Sequence, residues 1–321
     1  MKIGIATVWN ANNNGSFLQA YALQKYIEQL GHEVKMLKLT DFAHGGTEYS
    51  DTFWNNLEKY HSLLNVSEDL EEEFDVIVYG SDEIWSMFGE LQNPIFWGWG
   101  LKAKRKITYA VSAQGLKPKS VLFHPFTWRG LRNFDSLSVR DYITQKKLSY
   151  LTRKPLSMVL DPTFLISYDD CKLENNIGKY VLVYTYGLSP EDAALVRSFA
   201  KDKGLKVVCT GSDTPSEWGD INIPAGPFEW IGLIRNAEYV VSSTFHGTVF
   251  SIICKKQFFV IGTNSGKVND LLQRTGLGSR KTKEFSNCRI ISYENVDKVL
   301  KKEVEISKKY LEESLDTHCN K

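Results

Sequence analysis

Short apolar runs alternate with helix-length amphipathic stretches along most of the chain, and this alternation constrains the fold more than any other feature of the sequence. Lys2 to Val8 reads as a strand. A loop of asparagines follows it, then a helix that Ser16 caps and Gly31 ends, with Ala20, Leu23, Ile27 and Leu30 on one face. Further strands are predicted at Glu33 to Leu39, Asp75 to Tyr79, Ile107 to Val111 and Asp135 to Val139, with a helix from about Tyr142 to Tyr150. The second half repeats the theme. It has strands at Tyr180 to Tyr184, Lys206 to Cys209, Tyr239 to Ser242 and Phe258 to Ile261, and helices at Pro190 to Lys203, Glu229 to Asn236 and about Gly247 to Cys254. Parallel neighbours need a crossover connection, usually a helix, so the pattern predicts an α/β protein with parallel sheets. Two halves meeting near Asp161-Pro162-Thr163 predict two doubly wound domains facing a cleft, residues 1–160 and 161–293. Residues 294–321 would form a final helix, about Glu294 to Leu315, that either returns across the junction or is simply solvated. Between Phe42 and Glu73 the pattern loosens into an acidic, aromatic, helical insertion, whose Glu71-Glu72-Glu73 run covers a solvated face.

Composition removes several function classes. The 321 residues carry 39 basic and 38 acidic side chains, a net charge of +1, so no overall electrostatic footprint for nucleic acid or an anionic membrane stands out. Any bound anion must be met locally. The start, Met1-Lys2-Ile3-Gly4-Ile5, enters a strand without a secretory pattern, and no apolar run is long enough to span a bilayer. The expected location is cytoplasmic. The five cysteines, Cys171, Cys209, Cys254, Cys288 and Cys319, are widely spaced and odd in number, as suits a reducing compartment. No His, Cys or carboxylate cluster has metal-ligand spacing, so neither metal nor cofactor is expected.

In parallel sheets, ligands gather beyond the carboxyl ends of strands, where loops meet helix N-termini. Several polar groups fall at such ends: Asn12-Asn13-Asn14-Gly15-Ser16, Gly80-Ser81-Asp82, Ser112-Ala113-Gln114-Gly115, Arg140, Gly211-Ser212-Asp213, and Ser242-Ser243-Thr244-Phe245-His246-Gly247. Each has a plainer reading. Gly-Ser-Asp and Asn-Gly are common turn chemistry, Asp82 serves equally as a helix cap, and His246 alone fits a half-buried structural histidine. The asparagine loop lacks both Gly-x-Gly-x-x-Gly and P-loop spacing.

Taken in order, "NNNGSFLQAYALQKYIEQLGH" (12–32), "FDVIVYGSDEIW" (74–85), "ITYAVSAQG" (107–115), "DSLSVRD" (135–141), "VLDPTFLI" (159–166) and "NAEYVVSSTFHGTVFSIICKKQFFVI" (236–261) resemble the successive motifs of the polysaccharide pyruvyl transferases. The resemblance runs to about Arg280. It implies a GT-B-like fold and transfer of pyruvate, as a ketal, from phosphoenolpyruvate to a sugar of a surface, capsular or other exopolysaccharide glycan. The acceptor would be a glycan or lipid-linked saccharide. The first domain would be the acceptor side and the second the donor side.

The resemblance implies His246 as the general acid, a role suited to an imidazole titrating near neutrality. Arg140 matches the arginine of the family's Ser-Val-Arg motif, where a planar guanidinium suits carboxylate or phosphate; the alternative is an ion pair with neighbouring Asp141. Ser243, Thr244, Gly247, Lys267 and Arg280 complete the expected donor side, Gly247 by letting backbone approach the ligand, although Arg280 equally suits the surface. On the acceptor side stand Asn13, Asn14, Gly15, Gln19 and Ser81, with Asp82 as a candidate base. Trp85, Trp97 and Trp99 read either as packing or as a sugar platform. Two positions depart from the family pattern. Thr244 stands where some members have arginine, a cation that Arg140, Lys255, Lys256 or a helix N-terminus would have to replace, and Lys267 stands where relatives often have arginine. The alternatives are a sugar-nucleotide-dependent glycosyltransferase on the same fold, or a catalytically silent glycan-binding relative.

Overall fold

The structure is a computed structural model that describes residues 1–41, 47–86, 92–171, 176–185, 187–211 and 215–316. Ser212, Asp213 and Cys319 therefore lie outside the described residues, as does the start of the expected insertion at Phe42. The strands are β1 (Lys2–Ala6), β2 (Glu33–Leu37), β3 (Val66–Ser67), β4 (Glu73–Tyr79), β5 (Lys102–Thr108), β6 (Leu137–Val139), β7 (Leu156–Met158), β8 (Tyr180–Tyr184), β9 (Lys206–Thr210), β10 (Ile221–Asn222), β11 (Tyr239–Ser242) and β12 (Gln257–Val260). The helices are α1 (Asn14–Gln29), α2 (Glu48–Glu58), α3 (Pro118–Phe123), α4 (Phe126–Gly130), α5 (Tyr142–Ser149), α6 (Pro190–Asp202), α7 (Pro227–Asn236), α8 (Phe245–Ile253), α9 (Gly266–Arg274) and α10 (Tyr293–Asp316).

Two five-stranded sheets, all parallel, have the orders β3-β2-β1-β4-β5 and β10-β9-β8-β11-β12. The central strands β8 and β11 are apolar on both faces, Tyr-Val-Leu-Val-Tyr and Tyr-Val-Val-Ser, because helices cover both sides. The predicted strand at Asp135 to Val139 is β6, shortened to Leu137–Val139, whereas β3, β7 and β10 escape the sequence pattern. Each has two or three residues, too few to show a periodicity. The insertion contains α2, and its acidic run ends in ion pairs of Glu71 with Lys102 and Glu72 with Lys2.

The largest apolar cluster runs through both halves, from Ile3 and Phe17 to Trp230 and Phe250. Polar contacts join the halves too. Asn14 Nδ2 donates to Ala225 O at 2.9 Å, and Tyr60 Oη donates to Glu229 Oε1 at 2.6 Å. The helix α10 starts against the second sheet, where Tyr293 Oη donates to Lys256 O at 2.6 Å. It ends against the first, where Tyr310 Oη donates to Thr108 O at 3.0 Å and Arg105 donates to the carbonyls of Ser314 and Leu315. Midway, the Ser307 hydroxyl accepts the Leu160 N–H at 2.8 Å, next to the joint.

Trp85 and Trp97 are fully buried and stacked at 4.9 Å, with Trp85 Nε1 donating to Phe96 O. They pack the first core and present no face to a sugar. Trp99 is partly exposed and donates to Phe126 O.

Candidate active site

In each sheet the crossovers change direction beside the first strand, between β1 and β4 and between β8 and β11, and such reversals open a crevice at the strand ends. All four strand ends meet here. Asn13 follows β1, Asp82 follows β4, Tyr184 ends β8, and Ser243 and Thr244 follow β11. With Glu83, Phe245, His246, Thr263, Ser265 and Lys267 they line one cleft of about 250 Å³. Asn13 caps α1 by accepting from the N–H groups of Gly15 and Ser16, at 2.8 and 3.3 Å. Asp82 has φ of 62°, a left-handed conformation that aspartate adopts more readily than most residues.

Under the cleft floor lies a chain of charges. Arg140 is 1% exposed; its Nη1 donates to Asp161 Oδ2 at 2.6 Å, its Nη2 to Asp82 Oδ1 at 3.1 Å, and its guanidinium carbon lies 4.5 Å from the centre of the Phe245 ring. The expected anion fork is thus occupied by two carboxylates of the chain, and neither is its neighbour Asp141, which caps α5. Asp161 is wholly buried; its other oxygen accepts from the Thr163 N–H and hydroxyl. His246 Nε2 lies 3.5 Å from Asp161 Oδ2. Arg140, Asp161 and His246 therefore form one line, in which a carboxylate fixed by a guanidinium faces an imidazole whose Nε2 makes no hydrogen bond among the described residues.

Burial pushes the Asp82 carboxyl upward, but Arg140, His246, Lys267 and the Ser16 hydroxyl outweigh it and bring it down to about 2. Asp161 is held below the usual range against the same burial, by His246, Arg140 and Thr163. A carboxylate so strongly paired is a poor base, so Asp82 is an ion-pair partner of the site more than a proton acceptor. Because both folded-state values lie below the unfolded one, their stabilisation is complete above about pH 4 and is lost as pH falls towards 2. For Asp82, the drop from 3.8 to about 2 corresponds to about 2 kcal/mol. Urea midpoints for the native chain should therefore fall between pH 4 and pH 2.5, and the fall should shrink in Asp82→Asn; an equal fall in both would sink this account.

On the other wall, Thr244 caps α8, with Oγ1 accepting the Gly247 N–H at 2.9 Å. This explains the threonine where some relatives have a cation: its hydroxyl is used on the helix. A Cβ on Gly247 would lie 2.1 Å from Ser242 Oγ, so the glycine serves the cap and not approach of a ligand. Thr244→Ala should cost about 1 kcal/mol while Thr244→Ser costs little, measured by urea unfolding; equal losses would argue against the cap. A Cβ on Gly15 would lie 2.2 Å from His246 Nδ1, so the start of α1 is the seat of the imidazole, not an acceptor contact.

The remaining acceptor-side candidates are scaffold. Gln19 is fully buried, accepts from the Ser81 N–H and hydroxyl, and donates to Val8 O and Ser16 O. Asn14 is likewise buried, with an Oδ1 that no described group meets. Only Asn13 among this set lines the cleft. On the donor side, Ser243 and Lys267 do line it, Lys267 Nζ lying 2.6 Å from Glu83 Oε1. Burial raises the Glu83 carboxyl, but Lys267 more than offsets this. Arg280 is not brought here; it is buried and donates to Arg289 O. Lys255 pairs with Asp297, and Lys256 donates to Arg235 O, at the far end of α8.

A family model described as polysaccharide pyruvyl transferase matches residues 13–265, which contain every cleft residue except Lys267. The chain belongs to that family. The architecture of this transferase is GT-B. It is similar to an alpha-glucosyltransferase in complex with UDP, at TM-score 0.52 and 10% identity over 97% of this chain and 95% of that one. It is similar also to a putative UDP-N-acetylglucosamine 2-epimerase from Listeria monocytogenes, at TM-score 0.51 and 10% identity over 97% and 95%. At that identity the likeness concerns the fold alone. No curated protein matches the chain. No described helix is long and apolar enough to cross a membrane, and the described residues contain no group able to hold a metal ion.

The sequence places Asp161 at the joint and within "VLDPTFLI" but assigns it no role in the site. Its signal was available: an acidic residue inside the apolar run Val159-Leu160-Asp161-Pro162, flanked by a threonine that can bond it. Phe245, lying between Arg140 and Lys267, carried no such signal.

Proposed function

We propose that this transferase forms a pyruvate ketal on a sugar of a surface or capsular glycan, with phosphoenolpyruvate as donor, and that it works in the cytoplasm. The observation that carries this reading is the Arg140–Asp161–His246 line, which ends in an imidazole in the wall of a small polar cleft. One acceptor hydroxyl adds to the central carbon of the enol phosphate, and the double-bond pair takes a proton at the methylene carbon to form the methyl group. His246 supplies that proton and recovers one from the adding hydroxyl. The second hydroxyl then displaces phosphate at the same carbon, its proton leaving with the products.

With His246 protonated, His246, Arg140 and Lys267 balance Asp82, Asp161 and Glu83. Donor charge therefore has to be met by the N-terminal N–H groups of α8, the Ser243 hydroxyl, and Lys267 exchanging Glu83 for the ligand. Asn13 stands opposite, on the acceptor side. UDP in the alpha-glucosyltransferase of similar fold favours a second reading, a sugar-nucleotide donor.

Calorimetric titration separates these readings. Phosphoenolpyruvate should bind saturably, about tenfold or more weakly in Lys267→Ala, and with little change in His246→Ala. Binding of UDP-sugars in place of phosphoenolpyruvate would overturn the proposal in favour of a glycosyltransferase, and glycan binding with neither donor would make the chain a silent relative.

A further inference from the structure

A second feature lies on the first half, away from the cleft. The short helix α3 ends in Leu122 and Phe123, which are 76% and 75% exposed, and Tyr150 after α5 is 77% exposed. Scattered apolar residues on a surface are ordinary, but Leu122 and Phe123 directly follow Val121, which shares a groove with Tyr150. Val121, Tyr150 and Leu151 line one apolar groove of about 390 Å³. Tyr150 and Leu151 also line a neighbouring depression of about 640 Å³ with Trp128, Arg132 and Arg153.

The charge around this surface is one-sided. From Leu116 to Lys154 the only acidic residues are Asp135 and Asp141, and Asp141 is buried as the cap of α5. Lys117, Lys119, Arg129, Arg132, Lys146 and Arg153 are exposed, and among the described residues none of the six forms an ion pair. A chain of net charge +1 thus concentrates unpaired cations around an apolar tip. The neutral total conceals this patch.

We propose that this face docks peripherally on an anionic lipid bilayer, with Leu122 and Phe123 entering the acyl boundary and the basic rim lying against the headgroups. Apolar insertion and charge attraction each give only marginal binding alone, whereas the two together give a stable reversible attachment. Docking here also orients the cleft. The helix α5 is about 12 Å long and joins the patch to Arg140, while Gln114, in the loop before α3, accepts from the Lys267 N–H and the Ser265 hydroxyl. If the proposed function holds, the cleft mouth is thereby held near the surface that carries a lipid-linked saccharide; the docking itself does not rest on that reading.

The test is co-sedimentation of the full chain with phosphatidylcholine vesicles, with and without phosphatidylglycerol. The native chain should sediment only with the anionic vesicles and be released by salt. Leu122→Ser with Phe123→Ser should weaken binding about tenfold or more, and Lys117→Glu with Lys119→Glu by a similar factor. All four side chains are exposed, so circular dichroism and melting should match the native chain. Failure to sediment with anionic vesicles would overturn the proposal, as would equal binding to both vesicle types. Undiminished binding by the Leu122 and Phe123 variant, with equal capture on heparin, would make the patch a polyanion site. Concentration-dependent dimers of the native chain lost in that variant would assign the face to a second copy.

Discussion

Gly15→Ala is expected to lower the rate of the proposed sugar pyruvylation about 100-fold while leaving affinity for the proposed donor, phosphoenolpyruvate, within a few-fold of native. A methyl group at this position meets His246 Nδ1 at 2.2 Å, Cγ at 2.3 Å and Cβ at 2.6 Å, so the ring has to shift. A displacement of about 1 Å at a reacting group is enough to cost about 100-fold, since proton transfer depends on alignment more steeply than binding does. His246→Asn removes the group and should cost about 10²- to 10⁴-fold. Single-turnover measurements on both variants place the two losses on one scale. Native turnover in Gly15→Ala would show that the imidazole is not the proton donor, or that its seat is irrelevant. A fall in affinity as large as the fall in rate would mean that the methyl group had disturbed the whole cleft.

Arg140→Ala should destabilise the fold by about 3–5 kcal/mol, the cost of leaving buried charge without its partner. Two carboxylates lose their counterion at once: Asp161, with no side-chain exposure, and Asp82, at 17%. Replacing Arg140 by Met together with Asp161 by Asn should restore part of the loss, since the double change removes the more deeply buried of the two stranded charges and leaves Asp82 to Lys267 and Ser16. Lys267→Ala, at a cleft position 17% exposed, should move the urea midpoint much less than Arg140→Ala does. These comparisons separate a guanidinium that holds the site together from one that holds the donor. If Arg140→Ala lost less than about 1 kcal/mol and abolished donor binding, the reverse assignment would hold.

The main architecture was legible because its signals are periodic. Tyr239–Ser242 matches its sequence-predicted bounds, and Tyr180–Tyr184 does so as well, since continuous apolar runs between turn residues leave little room for another reading. The start of α8 was less visible: Phe245 and His246 belong to the helix, which begins directly after the Thr244 cap and not at Gly247. Side-chain roles were the hardest to read. Gln19, Ser81 and Arg140 have the polarity of binding residues, but polarity alone does not tell whether the partner is a ligand or the protein. Each has its partners within the chain. Gly15 looked like part of a polar loop, and its importance follows from an imidazole more than two hundred residues away in sequence, at Gly15–His246 contact distance.

The line from Asp82 through Arg140 and Asp161 to His246 has a mechanical consequence. Asp82 and Arg140 come from the half containing the first sheet, His246 from the half containing the second, and Asp161 from between them. Parting the two halves to admit a bulky saccharide would draw the imidazole away from Gly15 and from its carboxylate. If the proposed function holds, the molecule is a latch whose bolt is its own acid: proton delivery is assembled by closure and dismantled by release, so the enol phosphate meets its proton only when the two halves are shut.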